Sequence, residues 1–237
     1  MKKVLVWFLL LLLAGFSGSA ASGEEAWQLC RLEENESSPA MDYWLLVPQD
    51  AAPGLPLIVY LHGSGEKGSR ALKGGLPLML SNGSVRPPEA IVLVPQLPAD
   101  VAYWDRMNDA LIRIVDEVLA SFSADPTRIA LAGVSLGGIG VWDLAARYPG
   151  RFSRILSLCG RVNRGISPDA FLGCEVRVYT AREDTKVPPA SVIAFTKKLV
   201  SAGVDAVHTE LNTTHARIPL SVFRDEELVR WLWFESD

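Results

Sequence analysis

The chain carries a series of short runs that are apolar without alternation. Leu57–Leu61, Ile91–Val94 and Ile129–Ala132 are unbroken, and Ile155–Leu158 and Val176–Tyr179 continue the series with one polar residue each. A strand with one wet face alternates apolar and polar residues. Unbroken apolar runs need cover on both faces, which parallel strands receive when they lie between two helical layers. Between the runs lie segments of helical period. In Asp109–Phe122, residues Ala110, Ile114, Val118 and Phe122 fall at fourfold spacing with Leu111 and Val115 beside them, and Leu136–Tyr148, Pro189–Ala202 and Val222–Phe234 read as further helices. Trp27–Leu32, Tyr43–Val47 and Ala206–Leu211 have the alternating or aromatic character of additional strands, the first two joined by the polar turn Glu33–Ser38. This alternation predicts an α/β fold with a mostly parallel central sheet and helices on both faces. Gly65–Pro88, rich in Gly and Pro, shows no clear element. It follows a strand end, where sheets of this kind bind ligands.

Composition narrows the function classes. With 237 residues, 49% of them hydrophobic, the chain can bury a large core and suits one domain, read as residues 22–237. A formal net charge of −4 with mixed signs gives no basic footprint for nucleic acid. Ahead of that domain, Lys2 and Lys3 precede the apolar run Val4–Phe16 and the small residues Ser17 to Ala21. This is the layout of a secretory signal peptide covering residues 1–21, with cleavage after Ala20 or Ala21. The run is short of the roughly 20 residues a spanning helix needs, so no stable membrane insertion is expected after cleavage. A secreted or periplasmic location follows. There, Cys30, Cys159 and Cys174 could form one disulfide and leave one thiol, or all three could serve as small buried hydrophobes.

The chemistry concentrates at Gly133-Val134-Ser135-Leu136-Gly137, directly after the strand Ile129–Ala132 and before a helix. A G-x-S-x-G turn in that context lifts the serine hydroxyl clear of the sheet at the positive end of the helix. Alone, such a Gly-rich turn could also serve packing or bind phosphate. A serine needs a base to take its proton, and the chain has three histidines. His62 lies in the loop after an upstream strand, His208 within a strand, and His215 in the polar loop Asn212–His215 ahead of the last helix. His215 is therefore the expected base. The orienting acid should close the preceding strand, where Asp184 is favoured over its neighbour Glu183, partly on the resemblance given below. Two backbone N–H groups are needed for a developing oxyanion. Leu136, after the serine, supplies one; Ser64 in the turn His62-Gly63-Ser64-Gly65 supplies the other, with Gly65 as the alternative.

Leu61-His62-Gly63-Ser64-Gly65-Glu66-Lys67-Gly68, Pro95-Gln96, the Ser135 turn ending Gly137-Gly138, Cys159-Gly160, Asp184 followed by Val187-Pro188, and His215 occur in that order. Together they make the chain resemble the α/β-hydrolases, in the phospholipase/carboxylesterase and dienelactone-hydrolase-like group with its secreted feruloyl-esterase-like members. The resemblance spans Tyr43 to Trp233. It implies the α/β-hydrolase fold, Ser135 as nucleophile, Asp184 as acid, His215 as base, and Ser64 and Leu136 as oxyanion donors. Members of the group often carry Gly before the catalytic histidine and Trp soon after it; here Thr214 precedes His215 and Ala216-Arg217-Ile218-Pro219 follows. The expected activity is hydrolysis of small-molecule or polymer-linked carboxylic esters through an acyl-enzyme, without a cofactor. Amide cleavage by a secreted peptidase would use the same residues, and a binding protein of this fold would lack one of them. The scattered histidines give no metal-ligand spacing, so metal-dependent hydrolysis is disfavoured.

Overall fold

The computed structural model describes residues 27–49 and 51–235; the expected signal segment lies outside them. The chain runs through strands β1 (Gln28–Leu32), β2 (Met41–Leu46) and β3 (Leu57–Leu61), helix α1 (Gly75–Ser81), β4 (Ile91–Pro95), α2 (Asn108–Phe122), β5 (Ile129–Val134), α3 (Leu136–Arg147), β6 (Arg154–Leu158), β7 (Glu175–Ala181), α4 (Ala190–Ser201), β8 (Asp205–Leu211), α5 (Ile218–Val222) and α6 (Glu226–Leu232). The strands form one sheet in the order β1-β2-β4-β3-β5-β6-β7-β8. β1 and β2 pair antiparallel at one edge, and β4 through β8 are parallel with β3 among them.

Successive residues of β3 supply the two faces in turn. Leu57, Val59 and Leu61 pack with Ile114, Val115, Trp142 and Phe195, on the face covered by α2, α3 and α4. Ile58 and Tyr60 pack with Leu76, Met79, Ile218 and Leu232, on the face covered by α1, α5 and α6. This is the two-sided cover that the unbroken apolar runs require. Trp142, Phe171 and Phe195 meet edge to face, with ring centres 5.5–5.6 Å apart, and lock α3 to α4.

The connections place the functional crevice. From β3 the chain moves outward to β4 through α1, then returns past β3 to β5 through α2. The loops leaving β3 and β5 therefore diverge to opposite faces of the sheet, opening a crevice at their carboxyl ends. α3 runs so close beneath it that a Cβ on Gly137 would collide with the Leu61 carbonyl, and one on Gly133 with the backbone of Gly137.

Two elements differ from the sequence reading. Gly65–Pro88 contains α1, preceded by a short 3-10 turn at Ser64–Glu66. Gly74, Gly75 and Pro77 hide that helix, because each is a poor helix former; buried Leu76, Met79 and Leu80 hold it in place. The single helix expected at Val222–Phe234 is two short ones. Asp225 interrupts it by accepting bonds from the Glu227 and Leu228 N–H groups and starting α6 afresh.

The fit at Gly137 is directly testable. Gly137→Ala is expected to cost at least about 3 kcal/mol, the upper range for overpacking where only backbone can yield. It should appear as a lower urea midpoint at unchanged slope. Gly65→Ala, with open space around the added carbon, should stay within about 0.5 kcal/mol of the parent.

Candidate active site

Ser135 caps the N-terminus of α3 with φ 57° and ψ −114°, a left-handed conformation that a side chain rarely adopts. Such a residue stores roughly 1–3 kcal/mol of strain and persists only where its surroundings fix it. Here the Ser135 N–H donates to the Leu158 carbonyl at 2.8 Å and the Ser135 carbonyl accepts from Ile139 at 3.0 Å. The twist aims the hydroxyl at His215, whose Nε2 lies 2.9 Å from Oγ. On the other side of the ring, Nδ1 lies 2.7 Å from Asp184 Oδ2. The second carboxylate oxygen, Oδ1, accepts from the Lys186 and Val187 N–H groups, each at 2.9 Å. The Asp184 side chain is 1% exposed and that of His215 is 12% exposed. Burial alone pushes the Asp184 carboxyl up, but bonds from His215, Val187, the Cys159 thiol and Lys186 together hold it below the usual carboxylate value. Asp184 therefore stays ionised beside the imidazole, the condition for fixing its tautomer. Glu183, the other acid considered, is exposed and has no bond to His215.

The loop after β3 stands against this serine. A Cβ on Gly63 would lie 3.7 Å from the Ser135 Cβ, and Ser64 opens the short 3-10 turn immediately after it. Among the described residues, the N–H groups of Ser64 and Gly65 take no acceptor. Leu136 is the first residue of α3, so its N–H has no partner within the helix. Both candidate donor loops thus flank Ser135 with uncommitted N–H groups.

His62 has a role that its sequence position did not reveal. It is fully buried: Nδ1 lies 2.8 Å from the Gly63 carbonyl, Nε2 accepts from the Leu97 N–H at 3.1 Å, and Trp104 packs edge-on at 5.0 Å. Since Leu97 N–H can only donate, Nδ1 carries the ring proton and bonds to Gly63, so a neutral imidazole braces the loop after β3. His208 lies on edge strand β8 and bonds to the Thr180 hydroxyl at 2.8 Å, away from Ser135.

All three cysteines are unbridged, with Cys159 and Cys174 buried. Cys159 also lies beside the acid. It has φ 47°, its N–H donates to the Tyr179 carbonyl at 2.9 Å, and burial with the neighbouring Asp184 carboxylate pushes its thiol up to about 12. Spacing along the chain gave no sign of this juxtaposition. Where the loop beside His215 departs from the pattern noted above, residues 215–217 form a 3-10 turn that leads straight into α5, with Ile218 buried at its start.

The eight-stranded, mostly parallel sheet with its serine turn between β5 and α3 defines an α/β-hydrolase. The Esterase family model matches residues 76–210, more than half of the chain, and the chain belongs to that family. A crystallised thermostable esterase superposes with a TM-score of 0.73, covering 89% of this chain and 63% of that one at 24% identity. The feruloyl esterase module of Clostridium thermocellum, solved with sinapinate, gives 0.62 over 82% and 86% of the two chains at 13% identity. The iron(III) enterobactin esterase of Dickeya dadantii (strain 3937) is 37% identical over 65 residues, which are 27% of this chain and 15% of that protein. Among the described residues, no helix is long and apolar enough to cross a membrane.

Burial of His62 sets a pH dependence of stability. Desolvation, partly offset by the Gly63 bond, lowers its folded-state value from 6.5 to about 4. The unfolded chain then binds the extra proton between those values, so stability is retained above about pH 6.5 and lost on acidification towards about pH 4, by roughly 3 kcal/mol. Urea unfolding across that window should show this loss in the parent, and most of it should vanish in His62→Asn.

Proposed function

We propose that the chain is an exported serine esterase that hydrolyses carboxylic esters through an acyl-enzyme. The contact carrying this reading is the continuous relay from Asp184 Oδ2 through His215 to Oγ of a strained Ser135. Ser135 Oγ attacks the ester carbonyl carbon while Nε2 of His215 takes the hydroxyl proton. The carbonyl oxygen becomes an oxyanion, held by the N–H of Leu136 and that of Ser64 or Gly65. As the C–O bond to the alcohol breaks, the imidazolium returns the proton to the leaving oxygen. Water then enters, gives a proton to Nε2 and attacks the acyl carbon. The bond to Oγ breaks, and the imidazolium returns the proton to Oγ as the acid leaves, restoring the enzyme. Asp184 stabilises the imidazolium at each stage without itself taking the proton.

Membership of the Esterase family supports ester rather than other substrates. The feruloyl esterase neighbour makes feruloyl and related aromatic esters a first test, and export rests on the Lys2-Lys3 start and the apolar run after it. A panel of p-nitrophenyl esters from acetate to palmitate, with feruloyl esters beside it, would define the acyl preference.

A fluorophosphonate should label Ser135 stoichiometrically. Ser135→Ala should abolish labelling and turnover; turnover near the parent rate would reject the assignment. Loss of the orienting acid in Asp184→Asn should reduce turnover by about 10⁴, the loss seen for a misoriented triad histidine. Glu183→Gln should remain close to the parent rate, and the opposite pattern would make Glu183 the acid.

A further inference from the structure

We propose that Cys159, Asp184 and His215 form a site for a thiophilic divalent cation such as zinc. The cation takes the place of the proton between His215 Nδ1 and Asp184 Oδ2 and thereby turns off Ser135. One ligand atom from each residue lies within 4.8 Å of the other two. A thiol sulfur, an imidazole nitrogen and a carboxylate oxygen are the donors zinc takes, and three protein ligands leave a fourth position for water.

The adjustment needed is small. Bonds of about 2.0–2.3 Å in a tetrahedral arrangement separate the ligand atoms by about 3.3–3.6 Å. The Nδ1–Oδ2 separation of 2.7 Å must then widen, and the sulfur must close in from within the 4.8 Å limit. The groups behind the ligands are already fixed. The Lys186 and Val187 N–H groups occupy Oδ1 and leave Oδ2 for the cation. The Cys159 backbone is tied to Tyr179, and a Cβ on the adjacent Gly160 would strike Gly138, so the sulfur cannot swing away with its loop. Bonds of this kind to ligand residues strengthen metal affinity. His215 is the most exposed of the three and offers the entry side.

The protons balance without another reactant. The neutral imidazole gives up Nδ1 to the cation and carries its proton on Nε2 instead. The thiol releases one proton to solvent and binds as thiolate. Nε2 then donates to Ser135 Oγ rather than accepting from it, so the serine has no base. Loss of activity rests on the reading of His215 as the base; binding of the cation does not. Magnesium and calcium, which prefer all-oxygen ligands, should neither bind nor inhibit.

Cobalt(II) serves as the probe, because cobalt bound to thiolate absorbs in the near ultraviolet whether or not the protein is active. Titration of the metal-free full chain should produce this band; zinc should displace it and magnesium should not. Zinc should inhibit ester hydrolysis over the same concentrations, with recovery on adding a chelator. In Cys159→Ser, which keeps a small polar side chain, the band should disappear and zinc inhibition should need at least about tenfold more metal. Cys159→Ala provides a second variant should the serine form fold poorly. A band that survives both variants, arising then at Cys30 or Cys174, would overturn the proposal. Zinc inhibition with an unchanged midpoint in both would do the same. A chain that binds cobalt through Cys159 yet hydrolyses no ester would keep the cation site and reject the esterase reading.

Discussion

The backbone contact between α3 and the end of β3 is the constraint on which the site depends. At Gly137 the helix approaches the Leu61 carbonyl so closely that no side chain fits between them. Because α3 starts immediately after Ser135, this contact decides where its first N–H groups point and how sharply the chain must turn to enter the helix. The positive φ of Ser135 is the result of fitting a strand, a turn and a helix into that space. The strain is confined to one residue, and the cores on both faces of the sheet are large enough to hold it. The same contact brings Leu136 beside the loop after β3, so two loops from divergent connections reach one serine.

Beyond the strand ends, backbone hydrogen bonds continue the lateral order of the sheet into the loops. Ser135 N–H reaches Leu158, Cys159 N–H reaches Tyr179, Arg182 N–H reaches Leu211, and Glu183 N–H reaches the Thr213 carbonyl. Each bond ties the loop of one strand to its neighbour, so Ser135, Asp184 and His215 share one frame although they are far apart in sequence. Electrostatics follows the same order. His62 is kept neutral by burial and Cys159 is kept as a thiol. Asp184 thus acts on His215 without a competing charge from either group, and in a partly desolvated place its effect is stronger than it would be in water.

Much of this was legible in the chain, for identifiable reasons. Unbroken apolar runs located β3, β4 and β5 because a doubly covered strand has no wet face to encode. The G-x-S-x-G turn was legible because close approach leaves room only for hydrogen at Gly133 and Gly137. Asp184 and His215 followed from their places after successive strand ends, with the choice of Asp184 over Glu183 resting partly on the resemblance. Other features were hidden because they depend on contacts distant in sequence. Helix α1 is formed by burial against propensity, and Asp225 breaks the final helical pattern through a cap rather than a change in hydrophobicity. His62 lies in the loop after β3 as read, but its burial was hidden because its partners Leu97 and Trp104 arrive from another connection.

Cys159 is the clearest case of information absent from linear spacing. Metal sites recognised from sequence have ligands at short, regular intervals, since one turn or helix presents two of them. Cys159, Asp184 and His215 come instead from the ends of β6, β7 and β8, brought together by the bonds that align those ends. A site built to share a proton between carboxylate and imidazole already holds two metal ligands at nearly metal-binding distance. Here Asp184 is fixed by two N–H groups, and the Cys159 backbone is held by its bond to Tyr179. The rigidity that holds His215 against Asp184 is therefore the same rigidity that the proposed cation site would use, and the identity of residue 159 determines whether a third ligand is present.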